Sequence, residues 1–551
     1  MASVLCIIPA RGGSKGIPRK NLRPMAGKPL IYYSISACLN TREIDQVSVT
    51  TDDEEIALFA RRFGAHVIMR PAQLAADSTT LDPVIRHAHS VCEEEFAALF
   101  GIIITVQPTS PLINEKYIGG ALEMLVEEEL DTVLSVVDDR HLRWTIQEGK
   151  RIPEYHARVN RQFLPPSFRE TGAIIACRSE VLCETGSRIG SKVGLLEIEQ
   201  EKSFDIDTIS DFMICENLLL RKRILFRVIG NQSVGMGHVY RALMLANELV
   251  AHNLMFLCTE EHTLASDFIA ERNFNVKVCS VGTIVQEIKA YEPDLVINDI
   301  LDTEAEYICK LKDNNIPVIN FEDIGSGIEY ADVVINALYP PSKPLANVKS
   351  GADYFCLRDE FIHRGPASTE HSQNNVLLCF GGVDEGNLSL RVLNAIYPEC
   401  KRLNVDLTII LGMGYMHLSV LEEALSHMEN GRIELVTATS AISDYMQRAM
   451  FAFTSGGRTV FELASMCTPT IVICQNDREL THSFGSRNVG VINLGHRIQV
   501  SDHAIVNSFR RLATQPGLRD DMARDLAKND FSGGKSRVMS LIRMILETSD
   551  D

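Results

Sequence analysis

The sequence predicts an α/β protein with a doubly wound sheet in residues 1–222 and two further Rossmann-like lobes in residues 223–363 and 376–551. Three observations lead to this prediction. Short apolar runs alternate with amphipathic stretches along the chain, a pattern typical of the strands and helices of parallel sheets. A glycine-rich loop follows the first apolar run of each half, and 551 residues correspond to about three folding units at roughly 150 residues each.

The loop after the first predicted strand, Val4 to Ile8, reads ARGGSKGIPRKN at residues 10–21. Its glycines let backbone N–H groups approach a polyphosphate, and its cations offset the charge on phosphate oxygens. The spacing matches neither a Walker A loop nor the GxGxxG fingerprint. A passive surface turn is the alternative, but the density of cations and glycines favours a phosphate-binding loop. The residues concerned are Gly12, Gly13, Gly16, Arg11, Lys15, Arg19 and Lys20.

The rest of the first half continues the alternation of strands and helices. The predicted helices are Pro29–Leu39, Asp53–Phe63, Leu81–Glu95 and Glu115–Glu129, and the predicted strands are Val47–Thr50, Gly101–Val106 and Thr132–Val137. Ligands of doubly wound sheets bind beyond the carboxyl ends of the strands. We therefore expect loop 10–21 and the loop Gln107–Pro111 to converge on one crevice.

Two alternating carboxylates, Asp205 and Asp207, form a candidate metal site. If Phe204 to Asp207 is extended, both side chains point to the same face and could hold one hard divalent cation such as Mg²⁺. A solvated strand edge is the alternative. The proximity of a loop that binds a triphosphate favours the metal, because Mg²⁺ is usually held by one or two carboxylates together with substrate phosphates.

The second half begins with the predicted strand Ile224–Val228, whose following loop places His238 at the start of a helix, Val239–Val250. The positive end of the helix dipole favours a neutral imidazole, which can accept a proton. A simple helix cap is the alternative role. The flanking Gly235 and Gly237 favour the close approach of a ligand.

The remaining part of the second half alternates in the same way. The predicted strands are Met255–Cys258, Val276–Cys279, Leu295–Asn298, Val318–Phe321, Val333–Asn336 and, after a polar connection at Arg364–Asn375, Val376–Phe380. The turn Ser455–Gly457 opens a helix and forms an anion-binding arrangement. The stretch Ala504–Ser549 is amphipathic, and we expect it to pack on a core rather than on a partner.

Composition excludes several classes of function. A formal net charge of −18 disfavours binding to nucleic acids and to anionic membranes. Fourteen cysteines occur without a C-x-x-C pair, so neither a disulfide framework nor a zinc site is indicated, and a reducing cytoplasm is expected. The sequence contains no apolar run of about 18 residues, so no membrane span is predicted. No secretory signal is recognisable.

The stretches IIPARGGSKGIPRKN, VQPTSPL, NRQFLPPSFRETGA and FDIDT resemble the acylneuraminate (CMP-sialic acid) cytidylyltransferase family over nearly all of residues 1–220. The resemblance implies a GT-A-like nucleotidyltransferase that couples CTP to a nonulosonic acid of the sialic, legionaminic or pseudaminic type and releases pyrophosphate. It also implies Mg²⁺ and a homodimer. By resemblance, Arg11 and Lys20 grip the triphosphate, Asn21 and Arg70 contact cytidine, Gln107 contacts the sugar, Arg161 neutralises phosphate or the sugar carboxylate, and Asp205 and Asp207 bind Mg²⁺.

One segment departs from this family. An Asn-Gly-Ala-x-Tyr run usually lines the sugar pocket, and Thr171-Gly172-Ala173-Ile174-Ile175 stands in its place. The substitution removes an amide and a phenol, and it leaves the cations and the carboxylate pair unchanged. It therefore bears on the identity of the sugar acid.

The stretches GMGHVYR, FGGVDEGN and TSGGRTVFELASMCTP resemble the UDP-sugar hydrolase of the pseudaminic acid pathway, a GT-B-like enzyme, over most of residues 224–500. The resemblance implies a UDP-sugar substrate. By resemblance, His238 is the base that activates water, Gly382 and Gly457 approach the diphosphate, Glu462 binds the ribose and Asn476 contacts the sugar. A glycosyltransferase and a non-catalytic nucleotide-sugar-binding module are the alternatives.

This segment also departs from its family at several positions. Ile229 replaces an Asp, Asp299-Ile300-Leu301-Asp302 replaces an Asp-x-Tyr segment, and Asn476-Asp477 replaces Asn-Gln. The leading hypothesis is a bifunctional enzyme in which the second half frees a sugar and the first half activates the nonulosonic acid made from it.

Overall fold

The computed structural model describes residues 3–13, 16–76, 78–362, 374–428, 432–437, 439, 441–487 and 490–548. Lys15 and most of the predicted connection Arg364–Asn375 lie outside the described residues. The chain forms two compact units, residues 1–221 and residues 222–551.

The first unit contains a seven-stranded sheet in the described part of the chain, with a short β-ribbon and a hairpin beside it. Its strands are β1 Val4–Pro9, β2 Pro24–Met25, β3 Lys28–Pro29, β4 Gln46–Thr51, β5 His66–Met69, β6 Ile102–Val106, β7 Thr132–Asp138, β8 Trp144–Gln147, β9 Lys150–Pro153, β10 Phe168–Arg178 and β11 Val193–Glu197. Its helices are α1 Ile31–Asn40, α2 Glu54–Arg62, α3 Leu81–Phe96, α4 Glu115–Glu127, α5 Ser179–Thr185 and α6 Ile209–Leu219.

Strand β1 lies near the middle of this sheet, in the order β11-β7-β10-β6-β1-β4-β5. Its residues alternate between two cores: Cys6 and Ile8 pack on one face, and Leu5 and Ile7 pack on the other. All four are fully buried, which explains why the sequence here is continuously apolar. Burial on both faces confirms the doubly wound α/β architecture.

One strand corrects the prediction of a wholly parallel sheet. Strand β10 runs antiparallel to both of its neighbours, β6 and β7, whereas the other neighbours in this sheet pair in parallel. Its pairing with β7 shifts register between Glu170 and Ile175. The apolar run alone does not reveal direction, because a buried strand has the same composition in either orientation.

The second unit contains two parallel sheets in its described residues, one in each lobe. The strands of the first lobe are β12 Arg223–Val228, β13 Asn253–Thr259, β14 Val276–Cys279, β15 Leu295–Asp299, β16 Val318–Phe321, β17 Val333–Asn336 and β18 Val348–Ser350. Those of the second lobe are β19 Asn375–Cys379, β20 Asp406–Ile410, β21 Ile433–Val436, β22 Phe451–Thr454, β23 Thr470–Cys474 and β24 Val491–His496.

The strand orders are β14-β13-β12-β15-β16-β17-β18 and β21-β20-β19-β22-β23-β24. In each sheet the second and third strands lie on one side of the first strand, and the fourth and later strands lie on its other side. This strand order is the Rossmann arrangement. Two such lobes in succession confirm the predicted GT-B-like architecture. The helices are α7 Gly237–Glu248, α8 Thr263–Ala270, α9 Ile284–Tyr291, α10 Ala305–Lys312, α11 Asp359–Ile362, α12 Leu388–Leu403, α13 Leu418–Ser426, α14 Ile442–Arg448, α15 Thr459–Ser465, α16 Asp477–Leu480, α17 Ser483–Arg487, α18 Asp502–Thr514, α19 Pro516–Leu526 and α20 Gly534–Thr548.

The end of the chain returns to the first lobe. Helix α20 buries Val538, Met539, Ile542 and Leu546 in the core that also contains Phe226 of β12. The predicted amphipathic stretch therefore packs on a core, as three helices rather than one. None of the helices in the described ranges is long and apolar enough to cross a membrane.

Candidate active sites

The loop after β1 is held against the next strand of the sheet by its backbone. The N–H of Gly12 donates to Oδ1 of Asp52 over 3.1 Å, and a Cβ on Gly12 would lie 2.6 Å from Oδ2 of Asp53. Only glycine fits at this position without a shift of Asp53. In this structure the backbone of Gly12 therefore approaches the protein's own carboxylates, those of Asp52 and Asp53.

Two guanidinium groups face the same region of this loop. Arg70 is buried, and its Nη2 lies 3.4 Å from Oδ1 of Asp52. Burial lowers the pKa of Arg70, Asp52 opposes that shift, and the positive charge of Arg11 lowers it further. The Nε atom of Arg70 has no hydrogen-bond partner among the described residues. Two neighbouring cations in this position create a site that favours an anion.

Lys20 and Arg19 point in different directions although they are adjacent. Nζ of Lys20 donates to the carbonyl oxygen of Ile206 over 2.5 Å and lies 3.6 Å from Oδ1 of Asp207. Arg19 instead pairs with Asp53, at 2.9 Å, and with Glu55. Of these two cations, Lys20 is the one that faces the predicted metal segment.

Asn21 has a bracing role in this structure. Its side chain is buried, and its Nδ2 donates to the carbonyl oxygen of Arg11 over 3.0 Å. The amide that the resemblance assigns to cytidine therefore holds the phosphate loop in place.

The loops predicted to converge do converge. The N–H of Ile206 donates to the carbonyl oxygen of Thr109 over 2.9 Å, which ties the Asp205–Asp207 segment to the loop that contains Gln107. A Cβ on Gly16 would lie 2.6 Å from the carbonyl oxygen of Asp207, so loop 10–21 reaches the same segment. Three parts of the sequence thus meet at one edge of the sheet.

Gln107 and the segment that departs from the family lie side by side. The Nε2 atom of Gln107 would be 3.2 Å from a Cβ on Gly172, whose φ is +71°. The hydroxyl groups of Thr171 and Ser135 are hydrogen-bonded over 2.7 Å, and both side chains are buried. The Thr171 hydroxyl is therefore directed to a neighbouring strand.

The carboxylates of Asp205 and Asp207 fit a divalent cation. Residues 203–207 belong to no strand, so the segment is an irregular connection before α6 rather than the strand edge considered as the alternative to a metal site. Burial raises the pKa of Asp205, a hydrogen bond from Thr109 opposes the shift, and the charge of Asp207 adds to it. Two carboxylates that repel each other beside Lys20 are hard oxygen donors of the kind that Mg²⁺ prefers.

The protein donors available to such a cation are few. Asp211 already accepts hydrogen bonds from the N–H and the hydroxyl of Thr208, at 2.7 and 2.8 Å, in a capping box. No group of three or more His, Cys, Asp or Glu residues within the described ranges is arranged to hold a metal ion. A cation here would have Asp205 and Asp207 as protein ligands and would take its other ligands from substrate and water.

Arg161 lies further along the same edge of the sheet. It opens a short 3₁₀ turn, and its Nη2 is 3.5 Å from the carbonyl oxygen of Asp138, the last residue of β7. The carboxylate of Asp138 has its pKa lowered mainly by hydrogen bonds from Arg140, with a smaller contribution from Arg161. Arg161 therefore faces the end of β7 rather than the phosphate loop.

In the second unit, His238 forms a dyad with a buried carboxylate. Its Nδ1 lies 2.8 Å from Oδ1 of Asp299, the last residue of β15. Met236, not His238, is the N-cap residue of α7, and that helix has no side-chain cap. The capping alternative is therefore excluded. Because Nδ1–H donates to Asp299, the lone pair of Nε2 is left to accept a proton.

The dyad is fixed by Arg241, one turn further along α7. Nε and Nη2 of Arg241 donate to the two oxygens of Asp299 over 2.7 and 2.6 Å, and Nη1 donates to Glu322 over 3.2 Å. Burial by itself raises the pKa of Asp299, but Arg241 and His238 outweigh it and hold that pKa at about 2. Asp299 therefore stays ionised and orients the imidazole.

The position of Asp299 in the sequence could have indicated its role in the site. Asp299 ends a strand that begins with three apolar residues, Leu295 to Ile297, and such a position lies at the carboxyl edge where ligands bind. Sequence reasoning treated it only as part of a departure from the family. Arg241 ends the stretch GMGHVYR that carries the resemblance, but no role was assigned to it from the sequence.

The glycine loops of the two lobes meet beside this dyad. A Cβ on Gly382 would lie 3.6 Å from the N atom of Met236, and a Cβ on Gly412 would lie 2.4 Å from Cα of Gly382. The predicted diphosphate loop at Gly382 is thus close to the residues that precede His238.

The other predicted anion site already contains a carboxylate of the protein. Oε2 of Glu479 accepts hydrogen bonds from the N–H of Gly456, at 3.0 Å, and of Gln475, at 2.7 Å. A Cβ on Gly457 would meet nothing closer than 3.9 Å. Gly457 therefore has open space beside it, while Gly456 is covered by Glu479.

Glu462 and Asn476 have partners within the protein. Oε1 of Glu462 accepts a hydrogen bond from Nε of Arg358 over 2.9 Å, and Glu462 is buried. Oδ1 of Asn476 accepts from the N–H of Glu479 over 3.1 Å and caps α16. Ribose or sugar contacts by these side chains would require them to share or exchange these bonds.

Comparison with known proteins adds three findings. Residues 5–159 match the family model described as cytidylyltransferase. Post-translational flagellin modification protein B of Campylobacter coli is 31% identical over 230 residues, which cover 41% of this chain and 98% of that protein. CMP-N,N'-diacetyllegionaminic acid synthase of Campylobacter jejuni is 33% identical over 230 residues, again 41% of this chain and 98% of the relative.

A solved structure also matches. MurG of Acinetobacter baumannii is 16% identical, and the match covers 59% of this chain and 99% of that one with a TM-score of 0.45.

Proposed function

The chain belongs to the cytidylyltransferase family, and on that premise we propose that its first unit couples CTP to a nonulosonic acid, giving the CMP-sugar and pyrophosphate. The observation that carries the proposal is the convergence of the phosphate loop, the Gln107 loop and the Asp205–Asp207 segment at one edge of the sheet. These three parts supply the cations, the sugar-facing amide and the carboxylates that the reaction needs.

In the proposed reaction the anomeric hydroxyl oxygen of the sugar acid attacks the α-phosphorus of CTP, and the hydroxyl proton passes to water. The bond from that phosphorus to the bridging oxygen breaks, and pyrophosphate leaves with the electron pair. Lys20 and Arg11 stabilise the charge that develops on phosphate oxygens, because fixed cations need no reorganisation in the transition state. Arg70, which the resemblance assigns to cytidine, adds positive charge beside Arg11. Asp205 and Asp207 would hold Mg²⁺, which supplies additional positive charge to the phosphates when bound.

Acids of the legionaminic type lead the candidate substrates, ahead of the sialic and pseudaminic types. The name of the Campylobacter jejuni relative supports this order. In the pocket segment the Thr171 hydroxyl bonds to Ser135, and both Ile174 and Ile175 are buried. This segment therefore offers a sugar of any of the three types less hydrogen bonding than an amide and a phenol would.

A panel of nonulosonic acids tests the proposal. The full-length protein is incubated with CTP, Mg²⁺ and each acid in turn, and pyrophosphate release is measured. We expect release with at least one nine-carbon acid and none without an acid. If no acid on the panel supports release, the proposed activity is wrong.

For the second unit we propose hydrolysis of a UDP-sugar. The His238–Asp299 dyad supports this reaction, since Nε2 of His238 can take a proton from water as the water attacks the anomeric carbon and UDP leaves. Release of UDP from a UDP-sugar without any acceptor would support hydrolysis. Release only with an acceptor would indicate a glycosyltransferase, and binding without release would indicate a nucleotide-sugar-binding module.

We also propose that the protein is a homodimer in a reducing cytoplasm. The hairpin β8–β9 leaves Trp144 and Ile146 exposed by 61% and 71%, and Phe163 nearby in sequence is exposed by 71%. Large apolar side chains exposed together favour an interface. All fourteen cysteines are free thiols, which supports the reducing compartment. Analytical sedimentation of the wild type and of the double variant Trp144→Ser, Ile146→Ser tests the dimer. The wild type should sediment as a dimer and the double variant as a monomer.

A further inference from the structure

The first lobe of the second unit encloses a cavity of about 190 Å³ that neither proposed reaction uses. It lies at the carboxyl ends of β12, β13 and β14, the edge where Rossmann-like sheets bind ligands. Gly382, Gly457 and Glu462 take no part in it. Its lining residues include Arg227, Leu257, Cys258, Thr259, His262 and Ile284.

The size of the cavity limits its ligand. Pockets for drug-sized molecules have volumes of roughly 300–1,000 Å³, so this one admits a small molecule and excludes a whole nucleotide. Leu257, Cys258 and Ile284 are buried and form apolar walls. Polar recognition therefore depends on the few remaining side chains.

Arg227 supplies a cation without a carboxylate partner. Its guanidinium carbon lies 4.5 Å from the ring centroid of Tyr307, and no described carboxylate forms an ion pair with it. Burial raises the pKa of Cys279 and of Tyr307, and the positive charge of Arg227 opposes both shifts. The same charge adds to the lowering of the pKa of His262 by burial. A planar guanidinium held on an aromatic ring is well suited to bidentate binding of a carboxylate or a phosphate.

His262 supplies a second polar group. It is 8% exposed, and its Nδ1 atom has no hydrogen-bond partner within the described chain. Burial lowers the pKa of His262, Glu261 opposes the shift, and Arg227 and His238 add to it, so the ring is neutral near pH 7. A buried polar atom without a partner reduces stability unless a ligand or water satisfies it.

The cavity adjoins the loop that carries His238. Strand β12 passes from the cavity wall at Val228 and Ile229 directly into that loop. Nδ2 of Asn231 donates to the carbonyl oxygen of Glu261 over 3.3 Å, which joins the loop to the other wall. A ligand in the cavity would therefore lie beside the candidate base.

We propose that this cavity binds a small molecule bearing a carboxylate or a phosphate group, held by Arg227 and by the imidazole of His262, both of which line it. Thr259, a buried residue of the lining, adds a hydroxyl group, and the exposed Glu261 provides an acceptor at the rim for hydroxyl groups of the ligand. The site is separate from the nucleotide loops, and it does not depend on hydrolysis of a UDP-sugar.

Calorimetric titration of the full-length protein tests this site with four probes: D-glucuronate, D-glucose 6-phosphate, inorganic phosphate and neutral D-glucose. We expect at least one anionic probe to bind and glucose not to bind. Binding of the carboxylate alone or of the phosphates alone would identify the charged group. Absence of binding by every anionic probe, or equal binding of glucose, would overturn the proposal.

Two variants assign the binding to this cavity. Arg227→Met should weaken the affinity for the anionic probe at least tenfold, and Arg223→Met is the matched control on the same strand, where the arginine pairs with Glu292 at the surface. His262→Leu provides a second test if Arg227→Met does not fold, and it should also weaken binding. Affinity that stays unchanged in a folded variant of either residue would overturn the proposal.

Discussion

Nδ1 of His238 lies 2.8 Å from Oδ1 of Asp299, although 61 residues separate the two in the chain. This hydrogen bond determines which nitrogen of the imidazole is left to accept a proton. His238 is therefore a candidate base because of Asp299, a residue that is distant from it in the sequence.

Replacement of His238 should remove UDP release. We expect His238→Ala to lower the rate by about 10²–10⁴, the contribution of one positioned general base. His503→Ala is the matched control, because His503 is exposed on α18 in the other lobe. An unchanged rate in His238→Ala would show that His238 is not the base.

The ion-pair network around Asp299 should be important for stability. Arg241→Met leaves Asp299 and Glu322 buried without their cation, and loss of one partner of a buried pair costs about 3–5 kcal/mol. Arg223→Met removes only a surface pair with Glu292 and should cost less than about 1 kcal/mol. Urea unfolding, followed through the transition of the second unit, measures the free energy of unfolding of both variants. Equal losses of this free energy would contradict the structural role given to Arg241.

Lys20 should be required for cytidylyl transfer. It faces Asp207 and the carbonyl oxygen of Ile206, so Lys20→Ala removes a fixed cation from the predicted phosphate site. We expect pyrophosphate release to fall by about 10²–10³, the range for loss of one preorganised charge-stabilising group. Lys28→Ala is the control, since Lys28 is exposed and its Nζ lies 5.8 Å from the ring centroid of Tyr32. Comparable losses in the two variants would count against the site.

Pyrophosphate release should require Mg²⁺, and this requirement should depend on the carboxylates of Asp205 and Asp207. Chelation by EDTA should stop pyrophosphate release, and Asp205→Asn or Asp207→Asn should raise the Mg²⁺ concentration needed for half-maximal release by at least tenfold. Asp45→Asn is the control, because Asp45 binds the N–H of Val4 at the opposite end of β1. Activity that persists in EDTA would exclude the metal site.

His482 should make stability depend on pH. Burial lowers the pKa of His482 to about 4, below the value of 6.5 for an unperturbed histidine. Between these values the unfolded chain binds a proton that the folded chain does not, so stability falls as the pH is lowered from 6.5 to 4.

The expected size of this effect is about 3 kcal/mol, at 1.36 kcal/mol per pKa unit. His482→Asn keeps an acceptor for the N–H of Gly485 but does not titrate in this range. The free energy of unfolding should therefore fall more steeply in the wild type than in the variant, as measured by urea unfolding at pH 7 and pH 4. The exposed His503→Asn should follow the wild type, and parallel curves for all three proteins would contradict the assignment.

Local patterns in the sequence predicted the elements well. Val276–Cys279, Val318–Phe321 and Val333–Asn336 have the same bounds in the structure as in the prediction. Their boundaries depend on apolar runs ended by polar residues, which are local properties. The glycines at positions 12 and 16 were also recognisable, because close backbone contacts leave no room for a side chain there.

Side-chain partners were predicted less well. Glu462 pairs with Arg358, 104 residues away, and Asn476 caps its own helix, whereas the resemblance assigned both to a ligand. The antiparallel direction of β10 was likewise not visible in its composition.

The sequence by itself determined the alternation of strands and helices, the glycine-rich turns at strand ends and the kind of charge that each turn presents. These properties follow from residues within a few positions of one another. Only the tertiary structure decided that Asp299 orients His238, that Lys20 faces Asp207 while Arg19 does not, and that Arg227 and His262 share a cavity. Such pairings depend on strand order and register, which bring residues together through packing energies that are summed over the whole sheet.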